Sequence, residues 1–204
     1  SSAASDVYKR QADVDMNQMY GTLYNKALEG DADCGGILSY GNYAGEPITN
    51  VEKGRPMVVR TPETKFTLAN FMRSHLYTAL GVIKVGMDIL TKDEGVEIDT
   101  VLGHGGLFKT KGVGQKILAD AINTPVVVME TAGEGGPWGM AILAEYMVKR
   151  AEGEKLEDYL KNKVFGSNAG SRIDPDPKGV AGYEAFMETY KKGLDVERRA
   201  CADL

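Results

Sequence analysis

Cysteines, histidines and long hydrophobic runs are scarce in this chain. Its 204 residues include two cysteines, Cys34 and Cys201, far apart in the sequence, and two histidines, His75 and His104. So few thiols indicate no disulfide framework and fit a reducing cytoplasm, and no cysteine–histidine cluster has the spacing of a zinc site. No run of about 18 apolar residues occurs, which argues against a membrane-spanning helix. We also expect no secretory signal, because no basic start precedes an apolar stretch.

An excess of basic charge is lacking as well. The chain has 24 lysines and arginines against 29 acidic residues, a net charge of −5. This balance argues against a protein that binds nucleic acid by neutralising phosphates. Glycine, in contrast, is abundant: 25 residues, or about 12% of the chain, where about 7% is usual. The chain is 43% hydrophobic, enough for a core of ordinary size.

Apolar residues recur at steps of three and four along several segments, a spacing that predicts helices. The longest segment, residues 67–92, predicts one continuous, buried central helix, although Gly81 and Gly86 lie inside it. Further helices are predicted over residues 15–28, 112–122, 136–150, 156–165 and 182–199. Strands are predicted over residues 36–40, 57–60, 98–102 and 125–129.

The order strand, helix, strand, helix over residues 98–150 predicts an α/β layer with helices on both faces of the sheet. We expect one mixed sheet and one domain over residues 14–204. Residues 1–13 show no periodicity and are predicted to be a disordered leader or an artefactual extension, since residues 6–11 resemble a translated sequencing adapter. The polar stretch 166–179 is predicted to be a loop.

Two glycine-rich loops follow predicted strands and open helices. The first spans Gly103–Gly114 and the second Glu130–Gly139. Glycines let a ligand approach the backbone, and a helix start offers free N–H groups. Both loops should leave the same end of a parallel sheet, where ligands favour binding. Spacing alone leaves a tight strand-to-helix turn equally open, because neither loop has a Walker A or dinucleotide fingerprint.

The segment from Gly103 to Asp120 resembles the adenosine motif of the FGGY family of carbohydrate kinases. The similarity lies in the pair Gly105-Gly106, the short polar loop 109–111 and the ending Ile-Leu-Ala-Asp at 117–120. Counting similar segments upstream and downstream, the resemblance covers about residues 35–195. It implies an actin-like, ribonuclease H-like ATPase domain, with a mixed sheet flanked by helices, of which this chain is the C-terminal lobe only.

The resemblance also implies a function: ATP-dependent phosphorylation of a sugar hydroxyl, with ATP and Mg²⁺ as cofactors. A ketopentose kinase is the expected class. The dipeptide Gly45-Glu46 looks like xylulokinases, our narrower expectation, whereas the spacing from Gly106 to Ala119 looks more like ribulokinases. The implied partners are a ketopentose and ATP, with no nucleic acid and no membrane, in the cytoplasm; a homodimer stays open.

Four residues are implied to bind the nucleotide. The backbones of Gly105 and Gly106 would contact adenine, Thr110 would offer a hydrogen bond, and Lys109 would lie near the phosphates. A turn role for the glycines and a solvated surface role for Lys109 are the alternatives. No metal ligand is expected among these residues.

The family's Asp-x-Gly-Thr phosphate loop does not occur in these residues. The resemblance places that loop, the sugar site and the aspartate base in the other lobe. We therefore expect no catalytic residue in this chain, and no activity of the chain alone. A function of another class, a non-catalytic actin-like module that binds nucleotide or a protein, is the alternative.

Overall fold

A computed structural model describes residues 15–130, 135–165 and 170–203 of the chain. Within these residues the chain forms six α-helices and five short strands. The helices are α1 Met16–Ala27, α2 Leu68–Asp88, α3 Val113–Ile122, α4 Gly135–Lys149, α5 Leu156–Tyr159 and α6 Pro177–Asp203. The strands are β1 Leu38–Tyr40, β2 Met57–Val59, β3 Val101–Gly103, β4 Val126–Val128 and β5 Ser171–Ile173.

The strands form two small sheets. Strands β1 and β2 pair antiparallel, with Tyr40 opposite Met57. The second sheet has the order β3-β4-β5. In it β3 and β4 run parallel, with Gly103 opposite Val128, and β5 runs antiparallel to β4, with Ser171 also opposite Val128. Residue 128 therefore lies level with the C-terminal end of β3 and the start of β5.

The core lies where the long helices α2 and α6 meet β1 and α3. Its largest side chains are aromatic and nearly all their surface is buried: Tyr40, Tyr77, Tyr183, Phe186 and Tyr190. Their hydroxyls are satisfied, as buried polar groups require: the Tyr183 hydroxyl donates to the Tyr77 carbonyl oxygen at 2.8 Å, and that of Tyr77 to the Ala32 carbonyl oxygen at 3.0 Å. This core therefore combines apolar burial with directional bonds that fix the helices against each other.

Local signals explain where the helices begin and end. Thr67 caps α2, its hydroxyl accepting from the Asn70 amide at 3.1 Å, and Asp15 caps α1 in the same way. Asn123 ends α3 in the left-handed conformation, which asparagine tolerates better than most residues. Arg73 on α2 is buried and its guanidinium donates to the Gly30 carbonyl oxygen at 3.0 Å, which binds the end of α1 to the core.

The predicted α/β class with a mixed sheet and flanking helices is confirmed. The central helix predicted over residues 67–92 is continuous, because a π-helical turn, Ile89–Asp93, extends α2. The expectation of a single sheet was wrong: β1 and β2 form a sheet of their own. The predicted loop 166–179 was also wrong in part, since it contains β5 and the first turn of α6. Only Ile173 in β5 is apolar, so no alternation marked that strand.

The predicted leader over residues 1–13 lies outside the described residues and stays a prediction, as does the domain span 14–204. None of the described helices is both long enough and apolar enough to cross a membrane. Cys34 is buried, Cys201 is partly exposed, and both are free thiols.

Candidate functional site

The loops that follow β3 and β4 leave the same edge of the sheet, because these two strands are parallel. The loop after β3 begins at His104, and the far end of the loop after β4 reaches α4 at Gly135. These two residues are neighbours: a Cβ built on Gly135 would lie 2.9 Å from the Cβ of His104. The predicted meeting of the two loops is thus present at this point, while residues 131–134 lie outside the described residues.

The loop after β3 is shaped by two glycines with positive φ. Gly105 has φ of 108° and Gly112 has φ of 81°, conformations that side chains rarely adopt. Between them residues 106–109 form a 3₁₀ turn, and the Phe108 amide donates to the Gly105 carbonyl oxygen at 3.1 Å. The turn folds the Phe108 ring back against Gly103, where a Cβ would meet the ring at 2.6 Å. The glycines therefore place an aromatic ring at the end of β3.

A cleft of about 540 Å³ opens between this loop and the strands. Its described lining combines apolar side chains with a few polar ones, a mixture typical of small-molecule sites. The lining residues are Phe108, Lys111, Gly112, Gln115, Val128, Met129, Glu130, Gly170 and Ser171. The cleft thus lies at the C-terminal ends of β3 and β4 and at the start of α3, the edge at which ligands of open α/β sheets bind.

The start of α3 gives the cleft a preference for negative charge. Among the described residues, no side chain caps this helix end, and the first turn holds no acidic residue. The free N–H groups and the positive end of the helix dipole point toward an anion placed there. Lys111, exposed and one residue before Gly112, adds a full positive charge, while Glu130 contributes a carboxylate at the end of β4.

The four predicted binding residues lie in the loop beside the cleft. Gly105 is half-buried and Gly106 exposed, and a Cβ on either would meet no atom within 4 Å. Lys109 is exposed and Thr110 half-buried, with the Thr110 carbonyl oxygen accepting from the Val113 amide at 3.4 Å. None of the four belongs to the described lining of the cleft. Their roles stay a prediction.

Three of the lining residues that the prediction missed show what signal the sequence held. Phe108 lies inside the predicted motif and could have been found as the one aromatic in a glycine loop. Gln115 could have been noticed as a polar residue in the first turn of a largely apolar helix. Ser171 carried no signal, because β5 itself was unrecognised.

The described residues include no preformed cluster of metal-ligating side chains. Across the described ranges, no group of three or more histidine, cysteine, aspartate or glutamate side chains is placed to hold a metal ion. Mg²⁺ in nucleotide sites is usually held by substrate phosphates, waters and one or two carboxylates. Glu130, in the cleft lining at the end of β4, is a carboxylate of the kind that such an ion contacts.

The sheet with its flanking helices and the cleft at the C-terminal strand ends define an α/β domain with a candidate ligand cleft at the ends of its parallel strands. The chain belongs to the FGGY family of carbohydrate kinases: the model of the family's C-terminal domain matches residues 3–148. No curated protein matches the chain.

Solved structures share this architecture at low sequence identity. Xylulose kinase from Rhodospirillum rubrum is 17% identical with a TM-score of 0.62, covering 96% of this chain and 37% of its own. Gluconate kinase from Lactobacillus acidophilus is 17% identical with a TM-score of 0.67, covering 93% of this chain and 37% of its own. Plasmodium falciparum glycerol kinase with ADP is 20% identical with a TM-score of 0.59, covering 97% and 36%. The predicted actin-like C-terminal lobe is confirmed, and the chain spans little more than a third of the length of these structures.

Proposed function

We propose that this domain supplies the nucleotide-binding part of an ATP-dependent ketopentose kinase, with xylulose as the sugar, acting in the cytoplasm. The observation that carries the proposal is the cleft at the ends of β3 and β4, beside the glycine loop 103–112, in a chain of the FGGY family. The apolar side chains of Phe108 and Met129 in its lining suit a nucleobase. The uncapped start of α3 and Lys111 suit the phosphates.

In this proposal the chain binds and orients the nucleotide. Phosphoryl transfer depends on positioning the reactants and stabilising charge on the transferred group. The cleft would hold the nucleotide so that its terminal phosphate faces a sugar and a catalytic aspartate, both held by polypeptide outside this chain. Mg²⁺ would neutralise the phosphates of the bound nucleotide. The 204-residue chain alone should accordingly show no sugar phosphorylation above background.

Calorimetric titration of the chain with ADP tests the binding half of the proposal. One wall of a two-walled site should give a dissociation constant in the millimolar range, roughly −4 kcal/mol. Ribose 5-phosphate serves as the control, because it offers sugar and phosphate without a base. No heat with ADP, or equal affinity for ribose 5-phosphate, would count against a nucleobase site.

A sugar screen on the complete kinase that carries this domain tests the substrate. Xylulose, ribulose, gluconate and glycerol are offered with ATP, and ADP release is followed by a coupled assay. Preference for xylulose supports the proposal, and preference for ribulose would make the protein a ribulokinase. Nucleotide binding without turnover of any sugar would favour the non-catalytic actin-like module.

A further inference from the structure

The side chain of Gln115 joins three elements around the cleft. It extends from the first turn of α3 and is 3% exposed. Its Nε2 donates to the Val126 carbonyl oxygen on β4 at 2.8 Å and to the Ser171 carbonyl oxygen on β5 at 2.7 Å. Its Oε1 accepts from the Ser171 hydroxyl at 3.2 Å. Both donors and the acceptor of the amide are thus used, which fixes the side chain in one orientation.

This link adds to the ladder with β4 and to the packing of Ile173 against the core, which are among the other contacts that hold strand β5. It has three residues, pairs with β4 alone, and exposes Ser171 and Arg172 to solvent. It begins directly after Gly170, whose φ is 63° and whose Cα packs against β4: a Cβ there would meet the Val127 Cγ1 at 2.9 Å. A short, solvent-facing edge strand depends on its hydrogen bonds for its position. The Gln115 amide provides two of them from outside the ladder.

Gly170 and Ser171 form one wall of the cleft, while Phe108 and Gly112 belong to the opposite, glycine-loop side. We propose that Gln115 is a positioning residue of the nucleotide cleft: by holding β5 to the start of α3, it sets the width of the cleft at which a nucleotide binds. The inference rests on the proposed nucleotide-binding function. It adds that the affinity for nucleotide depends on Gln115, because this side chain keeps Gly170 and Ser171 in position.

The first test replaces Gln115 by methionine, which has nearly the same length and cannot hydrogen-bond to the two carbonyls. The 204-residue chain is titrated with ADP well below the melting temperature of each variant. Gln115→Met should weaken ADP binding by at least about tenfold. The wall of the cleft loses the net contribution of roughly one hydrogen bond and is therefore less well ordered for the nucleotide. Gln18→Met, the same substitution at an exposed position of α1 outside the cleft lining, is the matched control. It leaves every Gln115 bond intact, so ADP affinity should stay within about threefold of wild type.

The second test uses the conservative variant Gln115→Glu. An ionised carboxylate would face two carbonyl oxygens and repel them, whereas a protonated one is nearly isosteric with the amide and donates one hydrogen bond. ADP affinity relative to wild type should therefore be low at pH 8 and recover at pH 5.5. Wild type measured at both pH values corrects for titration of the nucleotide. Lys111 and Glu130 are the charged groups that line the same cleft, and both are present in wild type and variant.

The outcomes separate this inference from the function on which it rests. If Gln115 contributed only to stability, folded Gln115→Met would bind ADP like wild type, and the inference would be overturned. If Gln115→Met does not fold, Gln115→Glu decides: an affinity ratio to wild type that is the same at both pH values overturns the inference. A wild-type chain that binds no ADP overturns the proposed function itself.

Discussion

The ring of Tyr40 on β1 stacks on the ring of Tyr190 on α6, with 5.0 Å between the centroids. The Tyr40 hydroxyl also donates to the Tyr190 carbonyl oxygen at 2.9 Å. The two residues are 150 positions apart, so this contact ties the start of the domain to its last helix. Close by, Gly193 leaves the space that the Tyr40 hydroxyl occupies, since a Cβ there would collide with it.

We predict that removing the hydroxyl and removing the ring of Tyr40 have separable costs. Tyr40→Phe should lower the free energy of unfolding by about 1 kcal/mol, the value of one buried hydrogen bond. Tyr40→Ala should cost about 3–5 kcal/mol, because it leaves a cavity in the aromatic core. Urea denaturation measures both. Tyr43→Ala is the control: Tyr43 is 90% exposed, and a comparable loss there would contradict the core role of Tyr40.

Helix α6 approaches the chain before β1 at a glycine. A Cβ on Gly182 would lie 2.5 Å from the Ala32 carbonyl oxygen, a backbone atom that cannot rotate away. We expect Gly182→Ala to lower the free energy of unfolding by about 1–3 kcal/mol, as overpacking does. In α1, a Cβ on Gly21 meets no atom within 4 Å, so Gly21→Ala should raise stability by up to about 1 kcal/mol. Thermal melts compare the two substitutions, and equal shifts of the same sign would contradict the close approach.

The buried carboxyl of Glu197 should make stability depend on pH. Glu197 on α6 is fully buried; one oxygen accepts from the Asn42 amide at 3.4 Å, and the other has no hydrogen-bond partner among the described residues. Burial raises the pKa of this carboxyl above its unfolded value, although the Asn42 bond and the Arg55 backbone N–H act to lower it. The folded state therefore binds the proton more tightly, and the stability this group contributes falls as pH rises from the unfolded pKa through the folded one.

Glu197→Gln keeps the shape and cannot ionise. The free energy of unfolding of the variant minus that of wild type should therefore be larger at pH 7 than at pH 4, measured by urea denaturation at both. Glu188→Gln, exposed on the same helix, should show no such difference. If wild type gained more stability than Glu197→Gln between pH 4 and pH 7, the sign would be wrong for a raised pKa.

The helices and the location of the cleft could be predicted from the sequence better than the strand arrangement of the sheets. The helix over residues 67–92 could be predicted because its apolar period is sustained and Thr67 caps it. The meeting of two glycine loops followed from the parallel order of β3 and β4. Strand β5 could not be predicted, since Ser171 and Arg172 face solvent and leave no alternating pattern. The contacts of Gln115 could not be predicted either, because its Nε2 donates to two backbone carbonyls whose position no residue type encodes.

The two glycines of the predicted adenine contact should respond differently to substitution. Gly105 has φ of 108°, so Gly105→Ala should strain the backbone and lower stability by about 1–3 kcal/mol. Gly106 lacks a positive φ, and a Cβ there meets no atom within 4 Å. Gly106→Val should therefore leave the melting temperature nearly unchanged. If adenine approaches the backbone at this point, the branched side chain should still weaken ADP binding by about tenfold or more, because it fills the space that the base would occupy.

Calorimetry with ADP and a thermal melt on each variant check this pair, with Gly21→Ala as a remote variant that should bind ADP like wild type. In the complete kinase, Gly106→Val should raise the Michaelis constant for ATP far more than that for the sugar, since only the nucleotide would meet the new side chain. Equal effects on both constants would make the loop a scaffold. Undiminished ADP affinity would instead place the base deeper in the cleft, between Phe108 and Met129.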